Sequence, residues 1–294
     1  MRDRRDSGFT LIELILVILI TGILAGILFT ILRGPVQSSL DVQQRAELVG
    51  VAETALQRMA REVRLALPNS VRVTGGTAVE FLRTVDGGRY RERAPGDQFQ
   101  PNRNSDSFDV LGGLVNATII DDDGTNSNDC ITGNSDCLVI FNTGQPATVA
   151  EATSTGKSAN AWLGISTNYD GNIATVSNVT TPAGDSLSYD NSDVPGWKFA
   201  FESPRQRFQV VDTPVSYICS GGEITRYDNY SIQPVQPVPP AVAGNLLIDR
   251  VSACNFTYDP GTSTRVGLLT FSITISDGGQ EITLLQQVQV ENLP

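Results

Sequence analysis

Glu13 is the side chain whose chemistry most needs explaining. It is the only ionisable residue between Phe9 and Leu32, in a run that is otherwise uncharged and largely apolar. A carboxylate in a membrane-length segment costs roughly 2.5–3.5 kcal/mol at mid-membrane and less near the interface. Such a group calls for a cationic partner, because opposite charges in a low-dielectric bundle relieve each other's desolvation. Histidine is absent from all 294 residues. That removes imidazole general bases, Ser-His-Asp and Cys-His nucleophiles, and His-ligated metals. No acidic pair sits in a recognisable catalytic string, so the chain reads as non-enzymatic and without a cofactor.

Four cysteines remain: Cys130, Cys137, Cys219 and Cys254. In an exported chain they should pair, and three connectivities exist. Cys130 and Cys137 bracket a small Gly/Asn/Ser loop, which leaves Cys219 and Cys254 to tie two distant segments together. A tetrahedral zinc site is the competitor, but neither pair has a C-x2–4-C spacing. For another metal, the run Asp121 to Asp129 offers alternating oxygen ligands at Asp121, Asp123 and Asp129, a weak calcium candidate. Gly124 comes too early for the helix–loop–helix calcium pattern, and a solvated acidic turn explains the run as well.

Arg89, Arg91 and Arg93 alternate and would share one face of a strand, with Arg83 and Arg103 nearby. The formal net charge of −11 argues against nucleic acid as a partner. These arginines are instead expected to serve the fold or a docking surface.

The elements that would hold Glu13 follow from periodicity. Phe9 to Leu32 as a helix would be about 36 Å long, enough to cross a ~30 Å hydrocarbon core. A secretory signal would have a shorter apolar run ending in a small-x-small site, and none ends this one. Arg2, Arg4 and Arg5 keep the head of the chain cytoplasmic, which places everything after Arg33 across the membrane. The spacing therefore predicts a retained anchor over 9–32. Gly34-Pro35 should interrupt or kink the helix. Beyond it Leu48, Ala52, Ala55, Met59 and Val63 recur at three and four, an amphipathic helix over 33–67 with one apolar stripe. Asp41 and Arg45 are ordered for an i,i+4 pair, and Pro68-Asn69 ends the element.

The string Gly8-Phe9-Thr10-Leu11-Ile12-Glu13-Leu14 resembles the cleavage and methylation signature of type IV prepilins and type II secretion pseudopilins. The resemblance implies that a prepilin peptidase cuts between Gly8 and Phe9, releasing 1–8 as a leader. It implies N-methylation of the new Phe9 amine, and pairing of Glu13 with that amine on a neighbouring subunit. Loss of the leader removes three Arg and two Asp, so the mature chain is slightly more acidic. Other major and minor pilins, met through the helix, and an inner-membrane assembly platform are the implied partners. The implied location is the bacterial inner membrane with the head in the periplasm, then the pilus surface.

Residues 68–294 read as a β-rich head, one large domain or two β subdomains. Thr77 to Val85 and Arg89 to Arg93 flank Asp86-Gly87-Gly88, a candidate hairpin turn. Leu138 to Phe141 is a short apolar strand, and Ile173 to Val179 a scattered one. Arg207 to Val211, Ser216 to Cys219 and Glu223 to Tyr227 read as a meander turning at Gly221-Gly222. Val266 to Ser276 and Gln280 to Val290 form a hairpin across Asp277-Gly278-Gly279. Pro234 to Pro240 is a linker, and 142–198 has no clear pattern. Helix first and strands afterwards predict an α+β fold, with an antiparallel sheet laid over the upper helix.

The stretches Ala78 to Arg83 and Phe208 to Cys219 are similar to the larger minor pilins, most of all that of the mannose-sensitive haemagglutinin pilus system. That similarity implies a low-abundance subunit that helps start assembly or caps a tip. A minor pseudopilin of type II secretion and a membrane-tethered periplasmic binding module are the alternatives.

Overall fold

The computed structural model describes residues 10–101, 106–114, 135–180, 186–190, 194–262 and 265–293. One helix, α1 (Leu11–Val63), runs 53 residues, about 80 Å at ~1.5 Å per residue. The expected interruption at Gly34-Pro35 is not there: the backbone stays helical through both residues. A proline inside a helix costs about 3 kcal/mol in lost hydrogen bonding and crowding. Long helical arms on both sides keep the remaining hydrogen bonds in register, which offsets a local defect. The helix ends at Val63, a turn short of Pro68, and Asn69 takes a left-handed conformation at φ 59°.

The apolar stripe lies where its spacing puts it. Leu48, Ala52, Ala55, Met59 and Val63 are all buried. They pack against Val79, Phe81, Val215, Tyr217, Phe256, Phe271 and Ile273, among others, from two sheets. The Asp41–Arg45 pair does not form among the described residues. Arg45 Nε instead donates to Gln280 Oε1 at 2.6 Å, at the foot of the final hairpin.

Twelve strands occur among the described residues of the head. They are β1 (Arg72–Thr74), β2 (Ala78–Tyr90), β3 (Ser107–Leu111), β4 (Cys137–Val139), β5 (Ile173–Thr180) and β6 (Ser186–Asp190). Then come β7 (Arg207–Ser220), β8 (Glu223–Tyr227), β9 (Asn245–Ile248), β10 (Val251–Asp259), β11 (Gly267–Asp277) and β12 (Gln280–Val290). A short helix, α2 (Val149–Thr155), lies between β4 and β5. The sheets are antiparallel throughout, one of nine strands and one of three in the order β10-β11-β12. The α+β architecture is as the sequence predicts.

The hairpin expected at Asp86-Gly87-Gly88 is a correction. These residues lie inside the 13-residue β2, opposite Val210, Gln209 and Phe208 of β7. A Cβ on Gly87 would come within 2.9 Å of the Phe208 carbonyl oxygen, and one on Gly88 within 3.1 Å of its ring. The glycines permit a close approach of β7 rather than a turn. Of the expected meander, Arg207 to Val211 and Ser216 to Cys219 are one continuous strand from Arg207 to Ser220, while the Gly221-Gly222 turn and the strand Glu223 to Tyr227 are as expected.

Register shifts at Leu82/Thr84 and Thr84/Asp86 divide β2 into two parts. Below them, β2 belongs to the sheet over α1. Above them it joins a ring: β2 pairs with β3, β3 with β6, β6 with β5, β5 with β4, β4 with β7, and β7 with β2 again. Alternate residues of these strands, including Tyr90, Phe108, Leu138, Val176, Leu187 and Phe208, form a second core with Phe99 and Phe199. Phe108 meets Phe208 edge-on at 5.3 Å between ring centroids. A barrel this small is filled by its own side chains.

Candidate functional site

At the start of α1, Thr10 is the N-cap, with φ −81° and ψ 149°. Its hydroxyl accepts from the Glu13 N–H at 3.4 Å, and the Glu13 carboxylate accepts from the Thr10 N–H, also at 3.4 Å. This is a reciprocal capping box, which satisfies two otherwise orphaned helix donors. The carboxylate is thus held at the positive end of its own helix. Glu13 remains exposed.

The segment above it is bare. Leu11–Ile31 is long and apolar enough to span a membrane, and none of it is buried by the rest of the chain. Its other polar groups close on themselves. The Thr21 hydroxyl donates to the Val17 carbonyl, and the Thr30 hydroxyl to that of Ile27 at 2.8 Å. Glu13 is therefore the one ionisable group this segment presents to a partner. Gly8 and Phe9 lie outside the described residues.

The upper half of α1 is clamped by charge as well as by packing. Arg226, 5% exposed, donates from Nε to Glu62 Oε2 at 2.8 Å and pairs with Asp228 at 2.6 Å. Burial opposes ionisation of Glu62, but the hydrogen bond and positive charge of Arg226 lead the effects that outweigh it and hold this carboxyl below its ordinary value of 4.5.

A second buried acid, Glu80, was not marked by any sequence pattern. It is fully buried, takes Arg72 Nε at 2.5 Å and the Tyr230 hydroxyl at 2.7 Å, and Tyr230 in turn meets Ser216 at 2.7 Å. Burial pushes the Glu80 carboxyl up, against the pull of Arg72. Arg72 also donates to the carbonyls of Gln233 and Pro234, so the network straps the proline-rich connector beside β1. Alternation along β2 gave no hint of Glu80, because its partners come from 8 and 150 residues away. Every group in it is committed to another, which is the arrangement of a strut rather than of an acid–base pair.

The remaining candidates are dispersed. Arg89 donates to Gln206 at 2.9 Å, Arg91 pairs with Asp109 at 2.9 Å, and Arg83 pairs with Asp212. Because β2 ends at Tyr90, Arg91 and Arg93 lie beyond the strand, and the expected single arginine face does not exist. Arg103 and the run Asp121, Asp123 and Asp129 lie outside the described residues. No cluster of potential metal ligands occurs among the described residues. Cys219 is bonded to Cys254, joining the end of β7 to β10 across the two sheets. Cys137 is also disulfide-bonded, and Cys130 lies outside the described residues.

No curated protein and no solved structure matches the chain. Residues 3–29 match the model of the prokaryotic N-terminal methylation motif. With a bare apolar helix that opens on a capped glutamate and rises into an antiparallel sheet head, this match supports a type IV pilin-like, membrane-anchored protein.

Proposed function

We propose that the chain is a non-enzymatic minor pilin of a type IV pilus, of the mannose-sensitive haemagglutinin kind, that helps initiate assembly or caps the tip. The observation that carries this reading is the contrast at the base of α1. A membrane-length helix buries nothing of its own, and its one carboxylate sits at the helix start, where a neighbour's terminal amine could meet it. The head supports a low-abundance place: its aromatic barrel adds bulk beyond the sheet that α1 needs, and bulk is easier to house at a tip than in a dense lattice.

In this reading a prepilin peptidase cuts between Gly8 and Phe9 on the cytoplasmic face, the Phe9 amine is methylated, and Glu13 docks the subunit onto other pilins. The segment 1–8 is the leader, 9–32 the membrane and polymerisation helix, 33–67 its amphipathic continuation, and 68–294 the periplasmic head. Cys130 pairs with Cys137. An inner-membrane platform drives assembly before the head reaches the surface.

Glu13→Ala tests it. The variant should reach the membrane with a folded head, yet be absent from filaments sheared off the cell. Equal recovery of variant and wild type in the sheared fraction would overturn the reading. Normal incorporation into a secretion pseudopilus, with none into surface pili, would move the chain to the secretion machine.

A further inference from the structure

Five arginines among the described residues are buried or half-buried, and four of them meet a carboxylate. Arg72 pairs with Glu80, Arg83 with Asp212, Arg91 with Asp109, and Arg226 with Glu62 and Asp228. The fifth is Arg207, at the first position of β7. Its backbone N–H donates to Ser203 Oγ at 3.1 Å. Its guanidinium has neither an ion pair nor a hydrogen bond among the described residues. A half-buried cation left in this way keeps its desolvation cost without the attraction that would offset it.

The strand pairing adds to that cost. Arg207 lies directly across from Arg89 of β2, and residues paired in this way face the same side, where like charges repel. Arg89 turns to Gln206 Oε1 at 2.9 Å, and the Gln206 amide passes on to Glu92. No acid relieves Arg207 from that direction. Arg207 also lines a cleft of about 310 Å³, where the turn after α1 meets β2, β7 and the residues after β12. Arg64, the C-cap of α1, lines the same cleft, is exposed and has no ion pair either. Leu65, Pro68, Val85 and Leu293 supply apolar walls, and Leu65 and Leu293 are exposed. Two acids share the cleft: Asp86, whose carboxylate accepts the Gly87 N–H at 2.7 Å, and Glu291, which is exposed. Neither forms an ion pair with Arg64 or Arg207.

We propose that this cleft binds a small organic acid, a single carboxylate on a short aliphatic body. Arg207 takes the carboxylate with the planar fork that a guanidinium offers. Arg64 adds a second cation from the helix end, and the aliphatic body lies along Leu65 and Leu293. Cavities of this size, roughly 300 Å³ and upward, suit small molecules. A second negative charge on the ligand is disfavoured, because Asp86 and Glu291 stand in the same cleft. The site does not rest on the pilin reading and would survive its failure.

The test uses the full chain in a non-ionic detergent, labelled for NMR at the leucine methyls and the arginine Nε atoms, and titrated with hexanoate. The Leu65 and Leu293 methyls and the Arg64 and Arg207 Nε signals should move together and saturate with a Kd of about 1 mM. Leu19, in the membrane segment, reports partition into the micelle and should not follow them. Hexylammonium, the same chain with the opposite charge, should give no saturable shift, and adipate, with a second carboxylate, should bind at least ten-fold more weakly. Arg207→Gln should weaken hexanoate at least ten-fold, with the Leu138 and Leu187 methyls of the barrel unchanged to show that the head is folded. Arg64→Gln, at an exposed position, should weaken it about three-fold without touching the strand. No saturable shift up to about 20 mM hexanoate, an equal response to hexylammonium, or unchanged affinity in both arginine variants would overturn the site. Adipate binding as tightly as hexanoate would overturn the ligand class. An Arg207 signal that moves on Glu291→Gln without ligand, in a wild type that ignores hexanoate, would make Glu291 its partner and sink the proposal.

Discussion

The lower and upper halves of α1 are continuous in backbone and opposite in surroundings. Every side chain described from Leu11 to Glu47 is exposed, whereas from Leu48 onward one face is buried between two sheets. Within the lower half Leu11–Ile31 is apolar nearly all round and none of it is buried by the rest of the chain; lipid or other helices are what can cover such a surface. The upper half carries its apolar residues on one stripe and finds its solvent in its own head. Stability is thus concentrated above Leu48, and the capacity to assemble below it.

That contrast can be broken at several points. The strongest is the covalent link in the upper half. Replacing Cys219 and Cys254 together by Ser frees a loop of 35 residues, and chain entropy sets the loss at about 4 kcal/mol. Chemical denaturation of the full chain in detergent would measure it. A loss below about 1 kcal/mol would show that the two sheets are held by packing alone.

Met59→Ala comes next. Met59 is wholly buried between α1 and the sheets, and truncation there should cost about 2–5 kcal/mol by the same assay.

Glu62 gives a smaller, pH-dependent effect. Its folded pKa lies below 4.5, so its contribution is present above that value and is lost as pH falls through the folded pKa. Glu62→Gln should therefore be less stable than wild type by about 1 kcal/mol at neutral pH. The gap should close as the pH falls through that lowered pKa, where wild-type Glu62 also takes up its proton. A gap that widened on acidification would contradict the clamp at Arg226.

Leu19→Ala is the matched control in the lower half. Leu19 is exposed, in a segment of which the rest of the chain buries nothing, so head stability should change by less than about 0.5 kcal/mol. A loss comparable to that of Met59→Ala would mean that the two halves of the helix are not independent.

Much of this was legible in one dimension. Period-2 alternation with a two-glycine turn located the final hairpin, and period-3.6 spacing picked out all five stripe residues on α1. Both are local patterns, repeated over enough residues to outweigh chance. Glycine was ambiguous at Asp86-Gly87-Gly88. The same residues that make a turn also admit a close neighbouring strand, and what decides is Phe208, 120 positions away. In the stretch 142–198 only Ile173 to Val179 was legible, as β5, and the rest was not for a related reason. Its strands are short, and they line a ring whose other members are β2, β3, β4 and β7, so each shows too few alternations to stand out.

By itself the sequence determined the anchor, the single acid within it and the exposed character of that segment, because hydrophobic length and one uncompensated charge need no tertiary partner to be recognised. Only the tertiary structure decided where β2 leaves the sheet for the barrel, which arginines are spent in ion pairs, and that Glu80 is buried. Each of those depends on which distant strand arrives alongside, and a pairing between remote segments is a property of the folded chain.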